Sequence, residues 1–216
     1  TYSYNSGLII PENVWSHVAL VVTPAEARLY LNGVPATHTF AHPPVTFDQG
    51  FQFGIDRGNT GRNFKGMMDE VCIYNRALST DEIRELMNLT RNNPNAGSLP
   101  GNDPSLISYY QFNEGAGKPA YDKVSDKHAN LAGGANKRAS STAPVGGGTF
   151  QRMAVTSGGM KDFAIPGAEL TFPGAGTYPD GDIVVTRLNV PSDQFPNINV
   201  LPSNPMSYYV IRNYGN

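Results

Sequence analysis

Residues 64–90 read FKGMMDEVCIYNRALSTDEIRELMNLT, and this stretch predicts a strand that is followed at once by a short helix. Successive side chains of a strand point to opposite faces. Asp69 and Glu70 therefore cannot flank one glycosidic bond as a catalytic carboxylate pair, which needs both groups on one side. We expect Asp69 to accept hydrogen bonds from loop backbone at the sheet edge, and Glu70 to meet solvent or a partner.

The helix that follows this strand is predicted at about residues 79–88. Ser79 is followed three residues later by Glu82, the spacing of a capping box in which each side chain accepts a hydrogen bond from a backbone N–H. Ile83, Leu86 and Met87 then recur at the spacing of one helical face. This apolar stripe predicts that the helix docks on a sheet.

The residues before this stretch alternate between strand patterns and turn chemistry. Strands are predicted at 15–22, 28–31 and 47–55, and residues 56–63 form a polar loop. Asn32-Gly33 after the second strand is a two-residue hairpin signal, because both residues tolerate the positive φ that this turn requires.

The order of these elements resembles a known family. The patterns W-x-H-V-A-L-V, L-Y-L-N-G, F-x-F-G-x-D and G-x-x-D-E-V-x-I-Y, read in sequence, are similar to the C-terminal half of a laminin-G-like, concanavalin-A-like jelly-roll domain. The resemblance implies that the domain's N-terminal strands precede Thr1. It also implies binding more often than catalysis.

A polar segment rich in Pro, Gly and Asn follows at 91–105, and residues 106–135 then resemble the opening strands of the same family. Two interpretations stay open. Residues 106–135 are a connector derived from such a domain, which we favour, or they supply strands to the first sandwich. We divide the chain into 1–92 (the C-terminal part of a jelly roll), 93–146 (a linker with this segment) and 147–216.

Residues 147–216 predict a second β unit, with strands at 150–155, 168–172, 181–188 and 208–212. Their pattern resembles a β-sandwich module found near the C-terminus of proteins that are exported by the Bacteroidota type IX secretion system. The predicted fold class is therefore all-β: a concanavalin-A-like jelly-roll sandwich and a second β-sandwich module, both truncated, with one short helix.

Composition excludes several other classes. The net charge is −2 and no basic stripe occurs, so we expect no nucleic-acid partner. The longest apolar run, 18–22, is far too short to span a bilayer, so no transmembrane segment is expected. The single cysteine, Cys72, excludes an internal disulfide, which leans towards a bacterial secreted or cell-surface protein for this family.

No pattern indicates catalysis, and the prediction is that the chain is not an enzyme. No nucleophile elbow of the form G-x-S-x-G occurs, and the four histidines have no zinc spacing. The resemblance places ligand binding on the rim loops, with candidate residues Asp56, Arg57, Asn59, Arg62 and Asn63. Calcium is the cofactor that the resemblance makes plausible, with candidate ligands Asp48, Asp69 and Asp122.

The predicted function is non-catalytic binding or adhesion outside the cell or at its surface. The partner would be a glycan or a surface protein, and copies of the same chain are a further candidate partner. Two alternatives remain: a structural spacer in a long adhesin or filament, and an accessory module of a larger secreted enzyme.

Overall fold

The fold was analysed in a computed structural model. The structure describes residues 5–41, 50–56, 59–91, 103–115, 117–132, 141–174, 176, 178–190 and 207–215, with backbone only at 59 and 60. In chain order the elements are β1 (Val18–Val22), β2 (Glu26–Leu31), β3 (Val34–Thr39), β4 (Ile55–Asp56), β5 (Asn59–Asn63), β6 (Val71–Tyr74), α1 (Thr80–Leu86), β7 (Leu106–Tyr110), β8 (Gly148–Val155), β9 (Gly159–Phe163), β10 (Ala168–Phe172), β11 (Gly181–Leu188) and β12 (Tyr208–Asn213). The fold class is all-β, as predicted.

The first sheet is an antiparallel meander in the order β1-β2-β3. Its second turn confirms the hairpin prediction, because Asn32 and Gly33 both have positive φ, at 50° and 80°. The predicted strand at 15–22 is shorter in the structure, where β1 begins at Val18. One face of β1, with Val18, Leu20 and Val22, is exposed.

Helix α1 covers the other face of this sheet, and it starts as the sequence predicts. Ser79 is the N-cap, and both hydrogen bonds of the capping box with Glu82 are present. Ile83 packs on Val21 and Tyr30 in one buried cluster. The hydroxyl groups of Tyr30 and Thr80 also share a hydrogen bond of 3.0 Å. The apolar stripe thus docks on a sheet as expected.

We predict that Ser79→Ala lowers the free energy of unfolding by about 1 kcal/mol, the usual cost of losing an N-cap oxygen. In the structure, the Glu82 N–H donates to Ser79 Oγ at 3.2 Å and loses this acceptor in the variant. Urea denaturation measures the change. Ser79→Asp, which keeps an acceptor, should stay within about 0.5 kcal/mol of the parent, and an equal loss in both variants would contradict the capping role.

The segment between the first sheet and β6 differs from the prediction. Residues 50–54 are not in a strand, and the polar loop expected at 56–63 is instead the hairpin β4–β5. Part of the predicted strand, 47–49, lies outside the described residues. The loop composition concealed β5, whose five residues, NTGRN, carry no apolar alternation.

Strand β6 pairs with β7, and this bears on the two interpretations of residues 106–135. Val71 lies opposite Tyr110 and Cys72 opposite Tyr109 in an antiparallel ladder. Asn75 N–H extends it by donating to the Ser105 carbonyl at 2.9 Å. The pairing supports the second interpretation for this strand, which is hydrogen-bonded to the first segment. The domain boundaries stay predictions.

The second β unit, defined here as β8 to β12, consists of a β12-β11-β8 sheet and a β9–β10 hairpin. The two layers share a core that includes Val155, Phe163, Ile183 and Val185. All four predicted strands lie within a residue or two of their observed bounds. The sequence analysis missed β9, whose five residues, GMKDF, do not alternate in strand fashion.

Candidate functional site

The predicted ligand residues gather on the β4–β5 hairpin. Asp56 ends β4, and Arg62 and Asn63 close β5, with Asn63 opposite Ile55. Arg62 Nη1 donates to Asp56 Oδ2 at 3.2 Å in an exposed ion pair, which adds little stability. The structure describes only the backbone of Asn59, and Arg57 lies outside the described residues.

Two exposed phenylalanines flank the β4–β5 hairpin in the sequence. Phe51 is 60% exposed and Phe64 is 55% exposed. Phe64 N–H donates to the Gly54 carbonyl at 2.8 Å, so Phe64 lies at the base of the hairpin. Arg62 and Asn63 are successive residues of β5 and point to opposite faces of the strand. We call Phe51, Asp56, Arg62 and Phe64 the hairpin surface.

An aromatic cluster holds the base of the hairpin surface in place. The Phe51 and Phe53 rings meet edge to face at 5.2 Å, and Phe53 meets Tyr110 of β7 in the same way at 5.3 Å. Phe112 stacks on Tyr110 at 6.3 Å. Aromatic pairs of this geometry contribute about 0.5–1.5 kcal/mol beyond their buried area. Strand β7 thus contacts the residues at the base of the hairpin surface through Tyr110.

The candidate calcium ligands lie in separate settings. Asp69 Oδ1 accepts from the Glu70 N–H at 3.0 Å, and burial raises the pKa of Asp69. Burial also opposes ionisation of Asp122, but hydrogen bonds from Ser125, Tyr109 and other donors outweigh it and lower the pKa of that carboxyl. Asp48 lies outside the described residues.

The described ranges contain no group of three or more His, Cys, Asp or Glu side chains that could bind a metal ion. The Asp122 carboxylate also accepts hydrogen bonds from the Tyr109 N–H at 2.9 Å and from the Ser125 hydroxyl at 2.6 Å. Its carboxylate therefore fixes the turn that follows β7. Calcium binding stays a prediction.

A buried polar cluster that the sequence analysis missed lies between β6, β7 and the end of α1. Arg91 is 8% exposed, and its Nη1 donates to the Leu86 carbonyl at 2.8 Å and also to that of Leu89. Its Nε donates to the Tyr74 hydroxyl at 2.9 Å. Arg91 therefore satisfies carbonyls at the C-terminus of the helix and ties them to β6.

Glu70 and Tyr109 complete this cluster. The Tyr109 hydroxyl donates to Glu70 Oε2 and accepts from the Arg91 backbone N–H at 3.2 Å. Glu70 is expected from the sequence to meet solvent or a partner, but in the structure the Tyr109 hydroxyl lies against its carboxylate, because β7 pairs with β6. The sequence held one signal: the alternation places Glu70 on the same side as Cys72 and Tyr74, and polar groups on a covered face need partners. In the structure, Glu70 directly precedes β6 and has a φ of 53°.

Burial dominates the electrostatics of this cluster. It raises the pKa of Glu70 to about 7, with help from Asp69 and against the effects of Tyr109 and Arg91. It likewise raises the pKa of the Cys72 thiol to about 11, which leaves little thiolate at neutral pH. The cluster thus holds a carboxyl group whose charge changes near neutrality.

The charge of Arg91 also affects the pKa of His17. Burial, together with the charges of Arg91 and Arg212, lowers the pKa of His17 to about 4. Within the described part of the chain, its buried Nδ1 has no hydrogen-bond partner. His17 is therefore neutral in the folded protein at physiological pH.

Comparison with known families adds to this geometry. Residues 1–84 match the family model of the concanavalin A-like lectin/glucanases superfamily, Laminin_G_3. This matched segment contains β1 to β6 and the hairpin surface. The comparison agrees with the resemblance seen in the sequence, for this segment of the chain.

One solved structure was also found. It is a 2.1 Å crystal structure of part of an S-layer domain-containing protein from Clostridium thermocellum, 31% identical, with a TM-score of 0.31. The match covers 38% of this chain and 43% of the other, so less than half of that chain is matched. The comparison with curated proteins found no match. Among the described residues, no helix is long and apolar enough to cross a membrane.

Proposed function

We propose that this chain is a non-catalytic binding module, at the cell surface or outside the cell, that recognises a glycan through the hairpin surface. The observation that supports this function is that two exposed phenylalanines, Phe51 and Phe64, flank in sequence the hairpin that carries the exposed Asp56–Arg62 ion pair. The match of residues 1–84 to a lectin-containing superfamily also supports it. A protein that presents similar groups is the other partner we consider.

The chemistry of the hairpin surface suits a sugar. An aromatic ring packs against the apolar C–H face of a pyranose, and carboxylate and guanidinium groups hydrogen-bond to its hydroxyls. Binding sites combine apolar contact with a few placed polar groups in this way. The cluster of Phe53, Tyr110 and Phe112 beneath Phe51 limits the ordering cost of binding.

We predict that Phe64→Ala weakens glycan binding about tenfold or more, because burying a phenylalanine contributes about 1.5–3 kcal/mol. A glycan array identifies the ligand, and isothermal titration measures its affinity for both proteins. Ile165→Ala removes an equally exposed apolar side chain, 66% exposed, on the second β unit, and should leave the affinity unchanged. Equal losses in both variants would contradict the assignment of the hairpin surface.

The same array, run with calcium and with a chelator, tests the proposed cofactor. We propose that calcium binds at Asp69 or Asp122 and holds the rim loops in their binding conformation. Removing calcium should then weaken glycan binding. Unchanged binding in the chelator would contradict the calcium proposal and leave glycan binding standing. No ligand in either condition would contradict glycan recognition.

A structural spacer is the second candidate function, and one observation favours it. Helix α1 contacts both the first sheet and the second β unit, since Arg152 of β8 bonds to Glu85 of α1. A spacer benefits from such a fixed joint. Electron microscopy of the purified chain tests this role, because a spacer or filament component should form ordered assemblies or rods of constant shape.

A further inference from the structure

Helix α1 has a second covered side, and the residues on it are charged. Arg152 on β8 lies 3.0 Å from Asp81 and 3.1 Å from Glu85, both on the helix. It also donates to Asp182 of β11 at 3.2 Å. One guanidinium thus joins three carboxylates, two from α1 and one from the second β unit.

The C-terminal half of the helix makes a further set of contacts with the second β unit. The guanidinium carbon of Arg84 lies 4.2 Å from the centre of the Tyr214 ring, a cation–π geometry. Arg84 Nε also donates to the Gly33 carbonyl at 3.1 Å, in the turn between β2 and β3. A single side chain therefore contacts the first sheet and the residue that follows β12.

Gly33 shows how closely these parts approach one another. A Cβ atom at this position would lie 2.7 Å from the Tyr214 hydroxyl oxygen and 2.9 Å from the Met87 methyl group. Such distances are below van der Waals contact. An added methyl group would therefore require the Tyr214 or Met87 side chain to shift, which shows how closely the turn of the first sheet, the helix and the end of the second β unit pack.

The backbone after α1 makes further contacts with the second β unit. Leu89 forms a parallel β-bridge with Gly146. The Thr90 N–H donates to the Gly146 carbonyl at 3.0 Å, and the Gly146 N–H donates to the Asn88 carbonyl at 3.2 Å. The Leu89 side chain is buried with Leu188 and Tyr208 of the second β unit. The chain just after the helix thus enters the core of the second β unit.

We propose that α1 is a shared docking layer between the first sheet and the second β unit, so that both fold as one rigid, cooperative body. This inference rests on the contacts of the helix and is independent of glycan binding. Its polar side is an interaction surface whose partner is the Arg152–Asp182 face of the second β unit. The linker composition of residues 93–146 conceals this coupling, because the contacts come from residues on either side of it.

Charge reversal in the ion pair between Glu85 of α1 and Arg152 of β8 tests the proposal. Glu85→Arg places a second cation against Arg152, and Arg152→Glu in the same chain restores an opposite pair. Hydrogen exchange by mass spectrometry, measured along a urea series, follows the β1–β2 amides and the β11–β12 amides separately in one sample. Fluorescence of Trp15, the only tryptophan in the sequence, gives a second probe of unfolding, because its Nε1 donates at 2.7 Å to Thr142, which precedes β8.

In the parent chain, both sets of amides should lose protection at the same urea concentration. Glu85→Arg should move both midpoints down together and raise the unfolding equilibrium constant about three- to tenfold. The double variant should recover only part of this loss, because the exchanged side chains at positions 85 and 152 can pair with each other while Asp81 and Asp182 lose their ion pairs with Arg152. Glu169→Arg, the same change on exposed β10, should move neither midpoint. If Glu85→Arg does not fold, Glu85→Gln gives the smaller version of the same test.

Two results would overturn the proposal. Separate transitions for the two sets of amides in the parent chain would show that the units unfold independently. A shift confined to the β1–β2 amides in the Glu85 variant would show that α1 belongs to the first sheet alone. A joint shift with recovery in the double variant supports the shared layer.

Discussion

Replacing Arg91 with methionine is expected to lower the free energy of unfolding by about 3–4 kcal/mol, the largest effect of any substitution proposed for this chain. Methionine fills much of the same volume but donates no hydrogen bond. The Leu86 and Leu89 carbonyls and the Tyr74 hydroxyl then lose a hydrogen-bond partner in a buried setting, and Glu70 loses a nearby positive charge. Urea denaturation at pH 8 measures the loss.

Arg62→Met is the matched control for this prediction. Arg62 is 74% exposed in its side chain, and its ion pair with Asp56 is a surface contact. The same substitution there should change the free energy of unfolding by less than about 0.5 kcal/mol. Equal effects at positions 62 and 91 would contradict the view that Arg91 joins α1 to β6.

Replacing Glu70 with glutamine is expected to change how stability depends on pH. The folded protein holds the pKa of Glu70 at about 7, against an ordinary value of 4.5. The protonated form therefore favours folding: its contribution is complete below pH 4.5 and is lost as the pH rises towards 7. Glutamine does not titrate, so the variant gains about 1–3 kcal/mol relative to the parent between pH 4.5 and 8.

The comparison must be made between the two proteins at each pH, because His17 acts in the opposite direction. Its pKa is lower in the folded protein, about 4 against 6.5, so its contribution is lost as the pH falls through this range. His17 is present in both proteins and cancels in the difference. Glu169→Gln, the same substitution at an exposed position of β10, is the matched control. A parallel curve for Glu70→Gln would contradict the raised pKa.

Local patterns predicted the elements whose neighbours in sequence are also their neighbours in space. The capping box at Ser79 and Glu82, the Asn32-Gly33 turn and the strands of the second β unit all depend on residues a few positions apart. Strand β5 was missed because its polar residues carry no alternation, and its hairpin pairing with β4 gives no apolar signal.

The polar cluster could not be predicted, because its members are distant in the sequence. Glu70, Arg91 and Tyr109 meet only because β7 pairs with β6 and Arg91 folds back onto α1. The hairpin surface lies between these two cases. Its polar residues were predicted from a rim loop, whereas Phe51 was predicted to lie within a strand and no role was predicted for Phe64, and both are exposed.

The pairing of β6 with β7 also sets the order of events during synthesis. Ribosomes add residues from the N-terminus, at about 5–20 per second in cells. Strand β6 ends at Tyr74, but its partner is complete only when Tyr110 has emerged. For several seconds the nascent chain thus carries an unpaired strand edge, and Glu70 still lacks its partner Tyr109. Stalled or truncated translation products that end before residue 106 will therefore expose this edge, and chaperones or proteases will meet it before the native partner does.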